Sequence, residues 1–126
     1  MGMTLSARNQ TLGYLLTTGS VPTRPTSWQV CLHSGDPGDT GLNEVADANY
    51  VRQAVTFVAD LADGALSNSA EIVFPAAAAG YTFSFISVVD NAGNFLLKQA
   101  LPATRSITAG NSPRIATGEL IVGGSV

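Results

Sequence analysis

Trp28-Gln-Val-Cys-Leu-His-Ser-Gly-Asp-Pro-Gly-Asp-Thr-Gly41, then Asn43-Glu44, then Tyr50-Val-Arg-Gln-Ala-Val-Thr-Phe-Val-Ala59, is the stretch whose reading decides the fold. Trp28, Val30 and Leu32 alternate with Gln29, Cys31 and His33, the period of two that marks a strand with one face in a core. Gly35-Asp36-Pro37-Gly38 then turns the chain, because Asp caps turns, Pro presets φ and Gly permits positive φ. The second run places Val51, Val55 and Phe57 on one side and Tyr50, Arg52, Ala54 and Thr56 on the other. The stretch therefore reads as strand, long loop, strand.

Working outward toward the N-terminus, residues 4–19 read as a short amphipathic helix capped by Thr4 or Ser6, with Gly19 as its stop. Leu5, Leu12, Leu15 and Leu16 fall on one face. Those leucines either cover an edge of the β-core or form a docking arm onto a neighbouring subunit. Residues 20–26, with Pro22 and Pro25, form an extended connector.

Toward the C-terminus, residues 60–64 read as a turn, 65–68 as a short strand and 71–74 as another, stopped at Pro75. Residues 76–80 are ambiguous between loop and helical turn. Residues 81–90 are apolar on both faces, with Tyr81, Phe83, Phe85 and Val89 pointing one way and Ile86 and Val88 the other. That is the pattern of a central strand or of one facing a partner. Asp90-Asn-Ala-Gly-Asn94 is a hairpin signal. Strands follow at 95–100, ended by Pro102, at 104–108 and at 115–122, and Gly123-Gly124-Ser125 frees the end. The expected architecture is mainly β: an antiparallel, jelly-roll-like β-sandwich of seven or eight strands with one short N-terminal helix. One domain spans 1–126, with 1–27 as helix and connector.

The chain has 126 residues, of which 45 % are hydrophobic and only 12 % charged, about half the usual share of roughly 25 %. A charge-poor surface is easier to bury against other protein, since fewer ions must be desolvated. The net charge of −3 and scattered arginines argue against a nucleic-acid footprint. Cys31 is the single cysteine, which excludes an intrachain disulfide and a cysteine metal cluster. The N-terminus lacks a basic-then-apolar signal, and no run approaches the roughly 18 apolar residues of a membrane span.

Three chemistries suggest themselves from the residue types. His33, Ser34 and Asp36 suggest a hydrolase triad, but neighbours on one strand point to opposite faces. A strand-end histidine bonded to the following loop is the expectation, and no catalytic residue is assigned. Asp36, Asp39, Glu44 and Asp47 suit calcium chemically, yet their spacing matches no calcium loop and Asx turns explain them. No metal or cofactor is assigned. For stacking on a sugar the aromatics are Tyr14, Trp28, Tyr50 and Tyr81, of which Trp28 and Tyr81 lie in strand patterns and are expected to pack in the core. Asp36, Asp39, Asn43, Glu44 and Arg52 are read as structuring the loop, with Arg52 the charge partner of the Asn43-Glu44 pair.

The order Leu32-His33-Ser34, Asp36-Pro37-Gly38-Asp39, Gly41, Asn43-Glu44, Tyr50 and Arg52-Gln-Ala-Val-Thr-Phe57 resembles a family of small bacteriophage virion proteins. These are often described as tail-fibre-like and occur on heads as well as tails. The resemblance continues through Ser67–Ala70, Phe74–Ala77 and Gly118–Leu120, nearly the whole chain. It departs at Ala78–Ile86, where relatives carry a Gly/Thr/Trp-rich segment and a His-Phe-Gly-Ile strand. The resemblance implies a non-enzymatic virion structural protein. The first expectation is a decoration or cement protein on the capsid surface, binding the major capsid protein across subunit junctions. The alternative is a tail-fibre or baseplate module for host attachment. Self-assembly as a homo-oligomer, a trimer, is expected from shell geometry. Leu5, Leu12, Leu16, Phe83 and Phe85 are the candidate interface residues. No nucleic-acid or membrane partner is expected.

Overall fold

The computed structural model describes residues 2–19, 23–60 and 64–123. Part of the expected connector (20–22), the centre of the turn at 60–64 and residues 124–126 lie outside them. The chain is mainly β, with antiparallel sheets and one helix. In order, the elements are β1 (Gly2–Met3), α1 (Leu5–Leu16), β2 (Trp28–His33), β3 (Gln53–Val55), β4 (Phe57–Asp60), β5 (Ala65–Asn68), β6 (Ile72–Val73), β7 (Tyr81–Asp90), β8 (Phe95–Ile107), β9 (Arg114–Ile115) and β10 (Ile121–Gly123). A five-stranded sheet runs β1-β8-β7-β2-β3; a three-stranded sheet runs β10-β5-β4; β6 and β9 pair alone.

The arrangement is sandwich-like: the buried core draws on the five- and two-stranded sheets, and Phe57 of the three-stranded sheet packs against it. Val30 and Leu32 of β2 and Ile86 and Val88 of β7 meet Ile72 of β6, Ile115 of β9, Phe74 and Leu120. Their register is direct, Val30 opposite Val88 and Leu32 opposite Ile86. Tyr50 stacks on Phe74 with ring centroids 6.1 Å apart, sealing one side.

Among the described residues ten strands replace the seven or eight expected, and the main differences have a physical cause. The run at 50–59 keeps one alternation, but the chain changes sheets at Thr56, whose carbonyl accepts the Ser69 amide at 2.9 Å. β3 begins only at Gln53, and Val51, ahead of it, is exposed. The expected last strand is divided into β9 and β10 by a turn in which Gly118 has φ +78°. The Asn68 carboxamide fills that turn, accepting from the Leu120 amide (2.9 Å) and donating to the Ala116 carbonyl (2.9 Å). Conversely, β8 runs straight through Pro102. β1 pairs only with Leu97 and Lys98, so beyond them the outer edge of β8 has no strand partner among the described residues. Proline is tolerated on such an edge, where no donor is required.

One irregularity corrects the reading of Phe83. Register slips between Phe83 and Phe85 in the β7–β8 ladder. A slip exchanges the faces of all side chains beyond it. Phe83 consequently shares the core with Ile86 and Val88, and at 2 % exposure it has no surface to offer as an interface. Phe85 lies beyond the slip, half-buried and opposite His33.

Candidate functional site

Two features stand out above this core: a folded-back loop and an outward-facing helix stripe. The loop begins where β2 ends. Cys31 and His33 point away from the core cluster, yet both are fully buried. The chain from 34 to 45 returns along the edge of β2, with the Ser34 amide on the Asn43 carbonyl (2.8 Å) and the Val45 amide on the Leu32 carbonyl (3.0 Å). Gly41 meets the Phe95 ring so closely that a Cβ there would lie 2.2 Å from it.

His33 is the pin of this loop. Its Nδ1 lies 2.8 Å from the Leu42 carbonyl and its Nε2 2.6 Å from Ser87 Oγ. A carbonyl only accepts, so Nδ1 carries the proton and Ser87 donates to Nε2. Burial pushes the His33 pKa below its ordinary value, and the nearby Arg52 charge acts in the same direction. The ring is packed edge-on against Phe95 and is sealed from solvent, so no substrate atom reaches it.

Arg52 grips Glu44 with two bonds, Nε to Oε2 at 2.9 Å and Nη2 to Oε1 at 2.8 Å, while its guanidinium lies over Phe95. Tyr50 Oη donates to Glu44 Oε2 at 2.7 Å and accepts the buried Leu32 amide at 3.0 Å. Burial is the largest single influence on Glu44 and raises its pKa. The bonds from Arg52 and Tyr50 outweigh it and hold the group below its usual value. Cys31, beneath this pair, is pushed up to about 12, first by burial and then by the Glu44 charge.

The remaining loop acids bind donors of the fold. Asp36 Oδ1 accepts from the Gly38 amide (2.8 Å) and from Lys98 Nζ (3.1 Å), and the Asn43 side chain donates to the Asp36 carbonyl (3.0 Å). Asp39 accepts the Leu5 amide at 3.0 Å, an orphan donor of the first helical turn. Asp47 binds the Asn49, Ala78 and Ala79 amides, which fixes 76–80 as a loop. Among the described residues no three metal-ligating side chains come together. Sequence reasoning missed Tyr50, Ser87 and Lys98 as partners of the loop. The His33–Ser87 and Asp36–Lys98 contacts span 54 and 62 residues, and no local pattern signals them.

The helix is seated by its small residues. Thr4 caps it, accepting from the Ala7 amide at 3.3 Å and donating to the Phe95 carbonyl. Ala7 is its one buried residue. The leucine face therefore points away from the core: Leu5, Leu12 and Leu16 are 57 %, 53 % and 76 % exposed. The helix ends at Leu16 with Thr17 extended, before the expected stop at Gly19.

A protein-family model described as "Podophage GP4 fiber I protein gp80" matches residues 2–123. No curated protein matches the chain. The match covers the folded-back loop, the helix and every strand, so the chain belongs to the podophage fiber I protein family and is a structural protein of the tailed-phage virion.

Proposed function

We propose that the chain is a tail-fibre module that assembles with further copies of itself through α1. The observation that carries this reading is the leucine face, which the body turns outward on a rigidly seated helix. Leu5, Asn9, Leu12 and Leu16 follow the 4-3-4 spacing of a coiled-coil seam, and a single asparagine in such a seam fixes register. Arg8 is the one charged residue on the helix, so little charge must be desolvated on association. Burying each leucine contributes about 1–2 kcal/mol. A free helix of this length is marginal, but Thr4, Ala7 and Asp39 hold α1 in place before assembly, which lowers the ordering cost. The trimer is the state proposed, and the fiber family favours the tail over the capsid surface as its address.

Light scattering tests the assembly. The expected mass is three times the 12.9 kDa chain, falling to the monomer in Leu12→Ser/Leu16→Ser with an unchanged far-UV spectrum. A wild-type monomer at tens of micromolar, or a variant that stays assembled, refutes the proposal. Co-sedimentation with tails and with capsids, each lacking the protein, tests the address: binding to capsids alone overturns the tail reading.

A further inference from the structure

The leucine stripe of α1 does not end at Leu5, and the geometry points to a second contact between copies there: the tip of the folded-back loop of one copy packs on the first turns of α1 in the next. This contact rests on the self-assembly proposed above. Thr4 is extended and buried, so Met3 before it and Leu5 after it both turn outward. Asp39 ties the loop to this point through the Leu5 amide at 3.0 Å. Leu42 follows three residues on, within about 11 Å of chain, and is 60 % exposed. A single exposed leucine is ordinary on a protein surface, but Leu42 is held as few surface residues are. Its amide donates to the Pro37 carbonyl at 2.8 Å, and its carbonyl accepts from the buried His33 at 2.8 Å. Gly41 and Asn43 on either side have φ of +78° and +60°, and Asn43 is the one non-glycine residue with positive φ among the described residues. That conformation is costly for an L side chain. The Asn43 side chain keeps it in place by donating to the Asp36 carbonyl at 3.0 Å. The fold thus fixes the backbone on both sides of an apolar side chain and leaves that side chain in solvent, which is the preorganisation an interface anchor requires.

Continuity and charge identify the occupant as another copy of this chain. Met3 and Leu42 extend the seam of Leu5, Leu12 and Leu16 at its N-terminal end. A closed threefold ring makes its helices parallel, so the three N-terminal ends meet. Arg8 is exposed and lies three residues along α1 from Leu5, on the adjoining surface. The ion pairs among the described residues use neither Arg8 nor Asp39. The two charges both border Leu5 yet do not pair within one chain. Each copy therefore offers its neighbours one cation and one anion at the same level of the seam, and in the ring Arg8 of one copy meets Asp39 of the next. Leu42 packs beside this pair and shields it from water.

Light scattering over a dilution series of the full chain tests this, with far-UV spectra and melting curves as the check on folding. Leu42→Ser and Arg8→Glu, both at exposed positions, should each raise the concentration at which the assembly half-dissociates about tenfold or more, the loss expected of an interface anchor. The spectra should not change. Asp39→Arg also removes the bond to Leu5, so it is combined with Arg8→Glu. The exchanged pair should assemble better than either single variant, a recovery that damage to the helix seat does not produce. Unchanged half-dissociation in Leu42→Ser, or an exchanged pair no better than the single variants, overturns the assignment. Leu12→Ser/Leu16→Ser on the same series separates the two interfaces. If it stays assembled while Leu42→Ser dissociates, the helix seam fails and the loop contact stands. If it is monomeric while Leu42→Ser matches the wild type, the loop contact alone fails. A wild-type monomer at tens of micromolar overturns both.

Discussion

Replacing Tyr50 with Phe removes one oxygen and leaves the ring stacked on Phe74. That oxygen serves two groups, donating to the Glu44 carboxylate at 2.7 Å and accepting the Leu32 amide at 3.0 Å. The bond to a charged acceptor contributes about 1.5–3 kcal/mol, and an orphaned buried N–H costs about 1–3 kcal/mol. Leu32 is fully buried, so water does not replace the lost acceptor. The two effects overlap, because Glu44 keeps both bonds from Arg52. We expect a net loss of about 2–4 kcal/mol, a large part of a typical domain's stability. For a chain of this size that lowers the melting midpoint by roughly 10 °C. Urea unfolding followed by the single Trp28 gives the number. Hydrogen exchange at Ser34 and Val45, whose amides close the loop onto its neighbours, shows whether the loop opens first. A loss below about 0.5 kcal/mol, with unchanged exchange, would refute the view that Tyr50 ties the loop to the sheet.

Two further outcomes follow from the same region. Gly41→Ala places a Cβ 2.2 Å from Phe95 on a backbone at φ +78°; strain and overpacking together should cost about 2–4 kcal/mol, and wild-type proteolytic resistance of the 34–44 loop in this variant would contradict it. His33 has its pKa lowered in the fold, so the unfolded chain takes up its proton first as pH falls. Its contribution is complete above about pH 6.5 and is lost as pH drops toward the lowered folded value. Glu44, also lowered, adds a separate loss below its ordinary range near 4.5. Urea midpoints should decline between pH 7 and pH 5 and more steeply below; a flat profile down to pH 5 would contradict the buried neutral histidine.

How far the sequence reveals this structure depends on the range of each interaction. β2 and β7 were legible because their alternation is local and their apolar residues are many. The hairpin at 90–94 and the Thr4 cap were legible because turn and cap chemistry act within four residues. The break at Thr56 was not, since both halves keep the same alternation and the cause, Ser69, is thirteen residues on. The division of the last strand depends on Asn68, about fifty residues away. In the loop, Glu44 and Arg52 are eight residues apart and opposite in charge, whereas the hold of Asp39 on Leu5 spans 34 residues. The leucine spacing located a helical stripe but not its direction. Small Ala7, the residue α1 buries against the body, decided that.

The open edge of β8 bears on how many copies an assembly holds. A long unpaired strand on a protein packed at high local density invites end-to-end growth into filaments without limit. Pro102 denies that edge a donor midway, and the slipped register near it bends the ladder out of line. Addition of strand to strand is thereby disfavoured, which in the proposed assembly leaves the number of subunits to the α1 seam. On the proposed reading, an edge of this kind works against open-ended growth and in favour of a fixed copy number.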